Sequence, residues 1–257
     1  MRLIHGDCLV EMDKLIQEGV KVDAIITSPP YNKAGYEGFI RKRHKDDNWK
    51  RRNIDYDDES SNDFMEESKY QEWQIEVLNK CWELLKDDGS IFYNHKVRVA
   101  QHKASHPIEW LLKTKLNFRQ QIIWDRKSSP AISPIRYIPS TELVFWLTKT
   151  ATQPRFERKD DTLHKGEVWT IQPSKNENHP ATFPSELVEN IVYNLPEDSL
   201  ILDCFMGIGT TGVVCKKLNR DFIGIELVKD YFDYSKKRIE NIENNSSTLE
   251  KFIWFSN

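Results

Sequence analysis

The run Thr27-Ser28-Pro29-Pro30-Tyr31-Asn32 combines residue types that could do chemistry together. Two consecutive prolines fix the backbone and remove two N–H donors, so the turn offers a ligand mainly acceptors, above all the Ser28 side chain and the Pro29 carbonyl. An amino group on an aromatic ring is a poor nucleophile because its lone pair is delocalised into the ring. Two rigid acceptors could hold its hydrogens and leave the lone pair aimed at an electrophilic methyl, while Tyr31 offers a flat face for the ring. Holding two reactants in an attack-ready geometry can contribute roughly 7–11 kcal/mol. Serine is a weak base, so the amine proton is expected to leave to water after transfer.

A second group lies far downstream. The strand-like Ser199-Leu200-Ile201-Leu202 leads into Asp203-Cys204-Phe205-Met206-Gly207-Ile208-Gly209-Thr210-Thr211-Gly212. Glycines at a strand-to-helix turn let the backbone approach a ligand closely, and a carboxylate at the strand end can meet a cationic or hydroxylated group. One strand later, Phe222-Ile223-Gly224-Ile225-Glu226 ends in a carboxylate suited to a ribose diol. There is no GxxxxGK[ST], which argues against ATP; Gly207-Ile208-Gly209-Thr210-Thr211-Gly212 has GxGxxG spacing, and with a carboxylate one strand later it indicates an adenosine-containing cofactor.

The elements that must position these groups alternate. Strand patterns fall at Arg2 to His5, Asp23 to Thr27, Ser90 to Asn94, Gln120 to Asp125, Glu142 to Thr148, Leu200 to Cys204 and Phe222 to Ile225. Helical patterns fall at Cys8 to Gln17, Lys69 to Leu85, His106 to Lys115, Pro184 to Asn194, Thr210 to Leu218 and Lys229 to Asn241. Seven strands with helical crossovers predict an α/β, doubly wound, mostly parallel sheet, whose ligands bind at the carboxyl ends of the strands. The whole chain reads as one such domain. Two long segments, 33–67 and 150–178, interrupt the alternation as insertions.

Composition narrows the setting. The content of 39% hydrophobic residues suffices for a core, and no stretch approaches the roughly 18 apolar residues of a membrane span. Cys8, Cys81, Cys204 and Cys215 form neither a metal-ligand pattern nor a disulfide framework, so reduced thiols in a cytoplasmic protein and no metal site are expected. The net charge of -3 means that any surface for nucleic acid must be local. Residues 41–52 hold seven Arg or Lys against two Asp, and 53–67 hold seven Asp or Glu and no base. Unassisted, such a run is a solvated, self-neutralising loop; next to a nucleic-acid site it would meet phosphates.

Taken together these motifs resemble the permuted beta class of DNA amino-methyltransferases. That family's cofactor motif runs approximately Asp-Pro-Phe-x-Gly-Ser-Gly-Thr-Thr, here with Cys204 for the proline and Ile208 for the serine, and its catalytic loop, Asp/Asn/Ser-Pro-Pro-Tyr/Phe, comes first in the chain. The resemblance spans Arg2 to about Glu240 and includes His179-Pro180-Ala181-Thr182-Phe183-Pro184 and Leu84-Leu85-Lys86-Asp87-Asp88-Gly89-Ser90. It implies S-adenosylmethionine as cofactor, held by Asp7, Cys8, Thr27, Asp203, Phe205, Gly207, Gly209, Thr210 and Glu226. It implies catalysis by Ser28, Pro29, Pro30 and Tyr31 on a base flipped out of double-stranded DNA, with Arg41, Lys42, Arg43, Lys50, Arg51 and Arg52 on phosphates and the two insertions sharing recognition. Serine at the head of the loop favours the N4 amine of cytosine. N6 of adenine is the alternative, and an inactive DNA-binding subunit of a restriction-modification system a further one. The resemblance also allows a cognate restriction endonuclease and a homodimer. C5-cytosine chemistry needs a Pro-Cys nucleophile, and no cysteine here follows a proline.

Overall fold

Strand and helix alternate along the chain in the computed structural model, which describes residues 1–32, 65–100, 103–127, 137–173 and 183–242. The strands are β1 (Arg2–His5), β2 (Val22–Thr27), β3 (Leu85–His95), β4 (Arg98–Ala100), β5 (Lys103–Ser105), β6 (Asn117–Asp125), β7 (Thr141–Thr148), β8 (Val168–Thr170), β9 (Leu200–Asp203) and β10 (Asp221–Glu226). The helices are α1 (Cys8–Gln17), α2 (Glu67–Leu84), α3 (Ile108–Leu111), α4 (Ser185–Val192), α5 (Thr210–Lys217) and α6 (Lys229–Glu240).

Eight strands form one sheet in the order β1-β10-β9-β2-β3-β7-β6-β8, and β4 pairs with β5 in a separate hairpin. Only β7 runs against its neighbours β3 and β6; the other pairs are parallel. Side chains alternate across the sheet, so each strand feeds two cores. In β2, Ile25 joins the layer under α1, α2 and α3, while Ala24 and Ile26 join the layer under α4, α5 and α6. All six β2 residues are buried, as a central strand covered on both faces requires. The four cysteines are free and buried, and no described helix is long and apolar enough to cross a membrane.

The seven expected strands are present; the β4–β5 hairpin is an addition the sequence pattern did not indicate, and two further differences stand beside it. The expected helix from 106 to 115 shrinks to the single turn α3, after which the Thr114 hydroxyl bonds the Leu111 carbonyl at 2.7 Å and the chain turns into β6. An eighth strand, β8, lies within the expected insertion 150–178. It is three residues long with only Trp169 buried, too short to leave a periodic signal.

The described part of that insertion, residues 150–173, is tied to the scaffold along most of its length. Arg155 pairs with Asp23 at 2.7 Å and with Asp198 at 2.6 Å, at the amino ends of β2 and β9 and thus opposite the Ser28 loop. The chain then runs along α4, where Thr162 bonds Asn194 and the His164 N–H bonds Asn190. It returns to the carboxyl edge only at Ile171, whose N–H bonds the Asp125 carbonyl. Residues 150–167 are a crossover that braces the scaffold, and β8 carries the chain back to the edge beside Asp125.

Asp23 anchors this brace. Burial pushes its carboxyl upward, but Lys86, the Leu200 N–H and Arg155 together hold it below the usual carboxylate range. Asp23→Asn would strip charge-assisted bonds from two cations and is expected to cost about 2–4 kcal/mol in denaturant unfolding. Its effect on cofactor binding should be slight, because the carboxylate lies at the far end of the strand.

Candidate active site

The parallel strands bring a row of polar residues to one edge. In sheet order, β1 ends beside Asp7, β10 at Glu226, β9 at Asp203, β2 at Thr27 and Ser28, and β3 at Asn94 and His95. Because β7 is reversed, its beginning, Glu142, meets the same edge next to Asp125 and Arg126 at the end of β6. Neighbouring strands lie about 4.8 Å apart. The edge therefore divides into one half on β1, β10 and β9 and a second on β2, β3, β7 and β6.

Asp203 sits where the halves meet. It is 1% exposed; Oδ1 accepts from the Thr27 hydroxyl at 2.8 Å and the Phe205 N–H at 3.1 Å, and Oδ2 from the Thr211 hydroxyl at 2.7 Å. Burial pushes its pKa up to about 6 against these three bonds. All three partners are neutral. Asp23, by contrast, is equally buried but has two cations. A carboxylate in this state gains from a cationic ligand brought against it.

Glu226 closes the cofactor half. Its Oε2 accepts from the Gly207 N–H at 2.6 Å and its Oε1 from the Val228 N–H at 2.8 Å, so the carboxylate is oriented yet keeps lone pairs on both oxygens. Burial raises its pKa as well. The intervening turn passes through Gly207 at φ 53° and Gly209 at φ 79°, a left-handed backbone that a side chain would strain. At Gly209 a Cβ would also strike Ser235 at 2.9 Å. Asp7 caps α1, with Oδ1 accepting from the Leu9 and Val10 N–H groups, and Cys8 is buried behind it. Two oriented carboxylates, a buried acid without a cation and a glycine turn on adjacent strands fit an adenosine carrying a cationic tail.

The second half is a hydroxyl network. Tyr31 Oη lies 2.9 Å from Ser28 Oγ, 2.8 Å from Asn94 Oδ1 and 3.1 Å from Glu142 Oε2. Arg126 bonds the other oxygen of Glu142 at 2.6 Å. The Tyr31 ring packs against His95, with centroids 4.7 Å apart, and Lys96 stands over it at 5.1 Å. Burial drives the His95 pKa down to about 3, so the ring is neutral. Its Nδ1 accepts from the Lys96 N–H, leaving Nε2–H to donate to Tyr70 Oη, which itself donates to the Pro30 carbonyl at 2.7 Å. The Pro30 carbonyl is thereby committed to the fold. Asn32, at φ 50°, pairs its amide with both the N–H and the carbonyl of Met65, at 3.0 Å each.

Comparison with known proteins then decides the family. The family model N6_N4_Mtase, described as DNA methylase, matches residues 22–237. The chain belongs to this DNA methylase family. The family is S-adenosylmethionine-dependent, and the doubly wound sheet is that of its members. The chain is 28% identical to the type II methyltransferase M.BglII of Bacillus subtilis over 88% of its own length and 66% of that protein's. It is 26% identical to the DNA adenine methyltransferase YhdJ of Escherichia coli K12, covering 93% of this chain and 82% of YhdJ. Among solved structures, the M1.HpyAVI–SAM complex superposes with a TM-score of 0.63 at 25% identity, covering 92% of this chain and 98% of that one.

Within this methylase fold, the residues singled out from sequence fall on one edge, although they do different things there. Asp7, Thr27 and Asp203 spend hydrogen bonds on the scaffold itself, and Thr210 is buried at the start of α5 with its hydroxyl 3.2 Å from Arg238. Phe205 packs edge-on against Trp73 at 5.6 Å. Arg41, Lys42, Arg43, Lys50, Arg51 and Arg52 lie outside the described residues, as do 179–182 of the His179-to-Pro184 segment. Asn94, Tyr70 and His95 had no assigned role from sequence; Arg126 and Glu142 lie in the segments Ile123-Trp124-Asp125-Arg126-Lys127 and Pro139-Ser140-Thr141-Glu142, which by resemblance frame a loop that shapes the base pocket. Three of them carried a local signal: Glu142 heads the apolar run Leu143-Val144-Phe145-Trp146-Leu147, and Asn94 and His95 end Ile91-Phe92-Tyr93.

The Asp203 carboxyl gives a pH test. Without ligand it holds a proton below about pH 6, whereas a cation bound beside it favours the charged form. Affinity for S-adenosylmethionine is therefore expected to be level above about pH 6 and to fall by about tenfold per pH unit below it. Calorimetric titrations at several pH values check this, and Asp203→Asn should bind weakly with the acid limb abolished.

Proposed function

We propose that this chain methylates an exocyclic amine of a base in DNA, with S-adenosylmethionine as donor and N4 of cytosine as target. The observation that carries this reading is the Thr27–Asp203 bond, which sets the amine-holding loop directly beside the cofactor half of the edge. Glu226 would hold the ribose hydroxyls, Asp7 the adenine amine, and Asp203 the cationic end. Bound there, S-adenosylmethionine supplies an electrophilic methyl group on sulfur.

The loop does the rest by placement. Ser28 Oγ and the Pro29 carbonyl accept the two amine hydrogens, and the partly exposed Tyr31 ring, fixed behind by His95, meets the face of the extruded base. Extrusion costs on the order of a few kcal/mol, which base stacking and phosphate contacts offset. The segment 33–64 leaves the scaffold at Asn32 and rejoins it at Met65, and those two residues are hydrogen bonded to each other beside the catalytic loop. This position favours Arg41, Lys42, Arg43, Lys50, Arg51 and Arg52 as phosphate contacts. Adenine N6 is the second reading: the two bases present similar amine edges, and YhdJ is an adenine enzyme.

Purified protein incubated with unmethylated DNA and S-adenosylmethionine, followed by digestion to nucleosides and mass analysis, is expected to yield N4-methylcytosine. N6-methyladenine alone would reverse the choice of base, and unmodified DNA from folded protein would sink the enzyme reading for that substrate. Ser28→Ala should abolish methylation while keeping cofactor affinity. Neutralising Arg51 and Arg52 together should weaken DNA binding and reduce its salt slope by about two; an unchanged slope would exclude these contacts.

A further inference from the structure

The amine must lose a proton once it is methylated, and the hydroxyl network shows where that proton can go. Two hydroxyl protons, on Ser28 and Tyr31, face two fixed acceptors, Asn94 Oδ1 and Glu142 Oε2. Asn94 is oriented by donating its amide N–H to the Leu143 carbonyl at 3.1 Å, so its oxygen points at the hydroxyls. Glu142 is only 8% exposed, and its outer oxygen is held by Arg126. Asn94 and Glu142 both draw the Tyr31 proton away from Ser28. Ser28 then donates to Tyr31 Oη, at 2.9 Å, in preference to Asn94, at 3.3 Å. With its own proton turned inward, Ser28 presents lone pairs to the substrate amine.

We propose that Glu142 is the positioning residue and final proton acceptor of the reaction, reached from the amine through Ser28 and Tyr31. The inference rests on the amine-methylation reading above. When the amine nitrogen has taken the methyl group it carries one proton too many. That N–H bond breaks and a bond to Ser28 Oγ forms; the Ser28 proton passes to Tyr31 Oη, and the Tyr31 proton to Glu142 Oε2. Both hydroxyls are restored, the amine is neutral and one carboxylate has become a carboxylic acid. No redox change or further reactant enters, and the acid later yields its proton to water. Tyr31 acquires a role that stacking alone does not require, because a phenylalanine ring would stack as well.

Single-turnover methylation at saturating cofactor and DNA tests this with Tyr31→Phe, Glu142→Gln and the double variant. Each single variant is expected to slow methyl transfer by about a hundredfold. The double variant should be no slower than the worse single one, because both break one chain. Cofactor and DNA dissociation constants should change less than twofold. A wild-type rate in Tyr31→Phe, or losses that multiply in the double variant, would overturn the relay. Should Glu142→Gln fail to fold, Tyr31→Phe, which keeps the ring and its packing, decides alone. If the wild-type protein methylates no base, the failure lies with the functional reading; if it does and the variants match it, the relay alone fails.

Discussion

One buried hydrogen bond, from the Thr27 hydroxyl to Asp203, ties the two halves of the edge together. Its donor is the last residue of the strand that delivers the loop, and its acceptor is the last residue of the neighbouring strand that delivers the glycine turn. Methyl transfer by direct displacement tolerates little misplacement between nucleophile and methyl group. A fold that sets both on adjacent strands, packed from either face by a continuous core, removes most of the freedom that would separate them. The same acid is raised to about 6 by its burial, so the joint between the halves is also where a cationic ligand would be most favoured.

The two buried acids of β2 and β9 show how similar surroundings can serve opposite ends. Asp23 and Asp203 lie at opposite edges of the sheet, each nearly inaccessible to water. Asp23 is matched by Lys86 and Arg155 and braces a crossover. Asp203 is matched only by hydroxyls and an N–H, which orient it without neutralising it. Leaving a buried carboxylate without a cation weakens the free protein, and that cost is recovered when a cation arrives. Structural and functional carboxylates are thus told apart by their partners, although their burial is the same.

Much of this was legible in the sequence because parallel sheets write themselves plainly: β2, β3, β9 and β10 are short apolar runs bounded by turns, and ligand-facing residues follow them directly. The loop from Thr27 to Asn32, the glycine turn and Glu226 were placed at strand ends on one edge this way. The cap role of Asp7 is local, its partners being Leu9 and Val10, and an aspartate before a helix already suggests it; the strut role of Asp203 could not be read, since Thr27 is distant in the chain. Glu142 was obscured for another reason. A residue at the beginning of a strand reaches the functional edge only if the strand is reversed, and the reversal of β7 is a property of topology. The bracing by residues 150–167 was not legible because polar composition looks alike in a loop that touches a ligand and in one that crosses the outside of a sheet.

The pairing of Asn32 with Met65 has a meaning beyond the geometry of the site. It pins the exit and return of a long segment to one spot, so the catalytic loop is insulated from whatever lies between. Closing a loop of twice the length would cost only about 0.6 kcal/mol more. Such an arrangement lets the stretch between Asn32 and Met65 be lengthened, shortened or replaced while the turn beside it keeps its shape. The clamp turns this corner of the fold into a socket, where the chain can vary without disturbing the strand end that holds Ser28 and Tyr31.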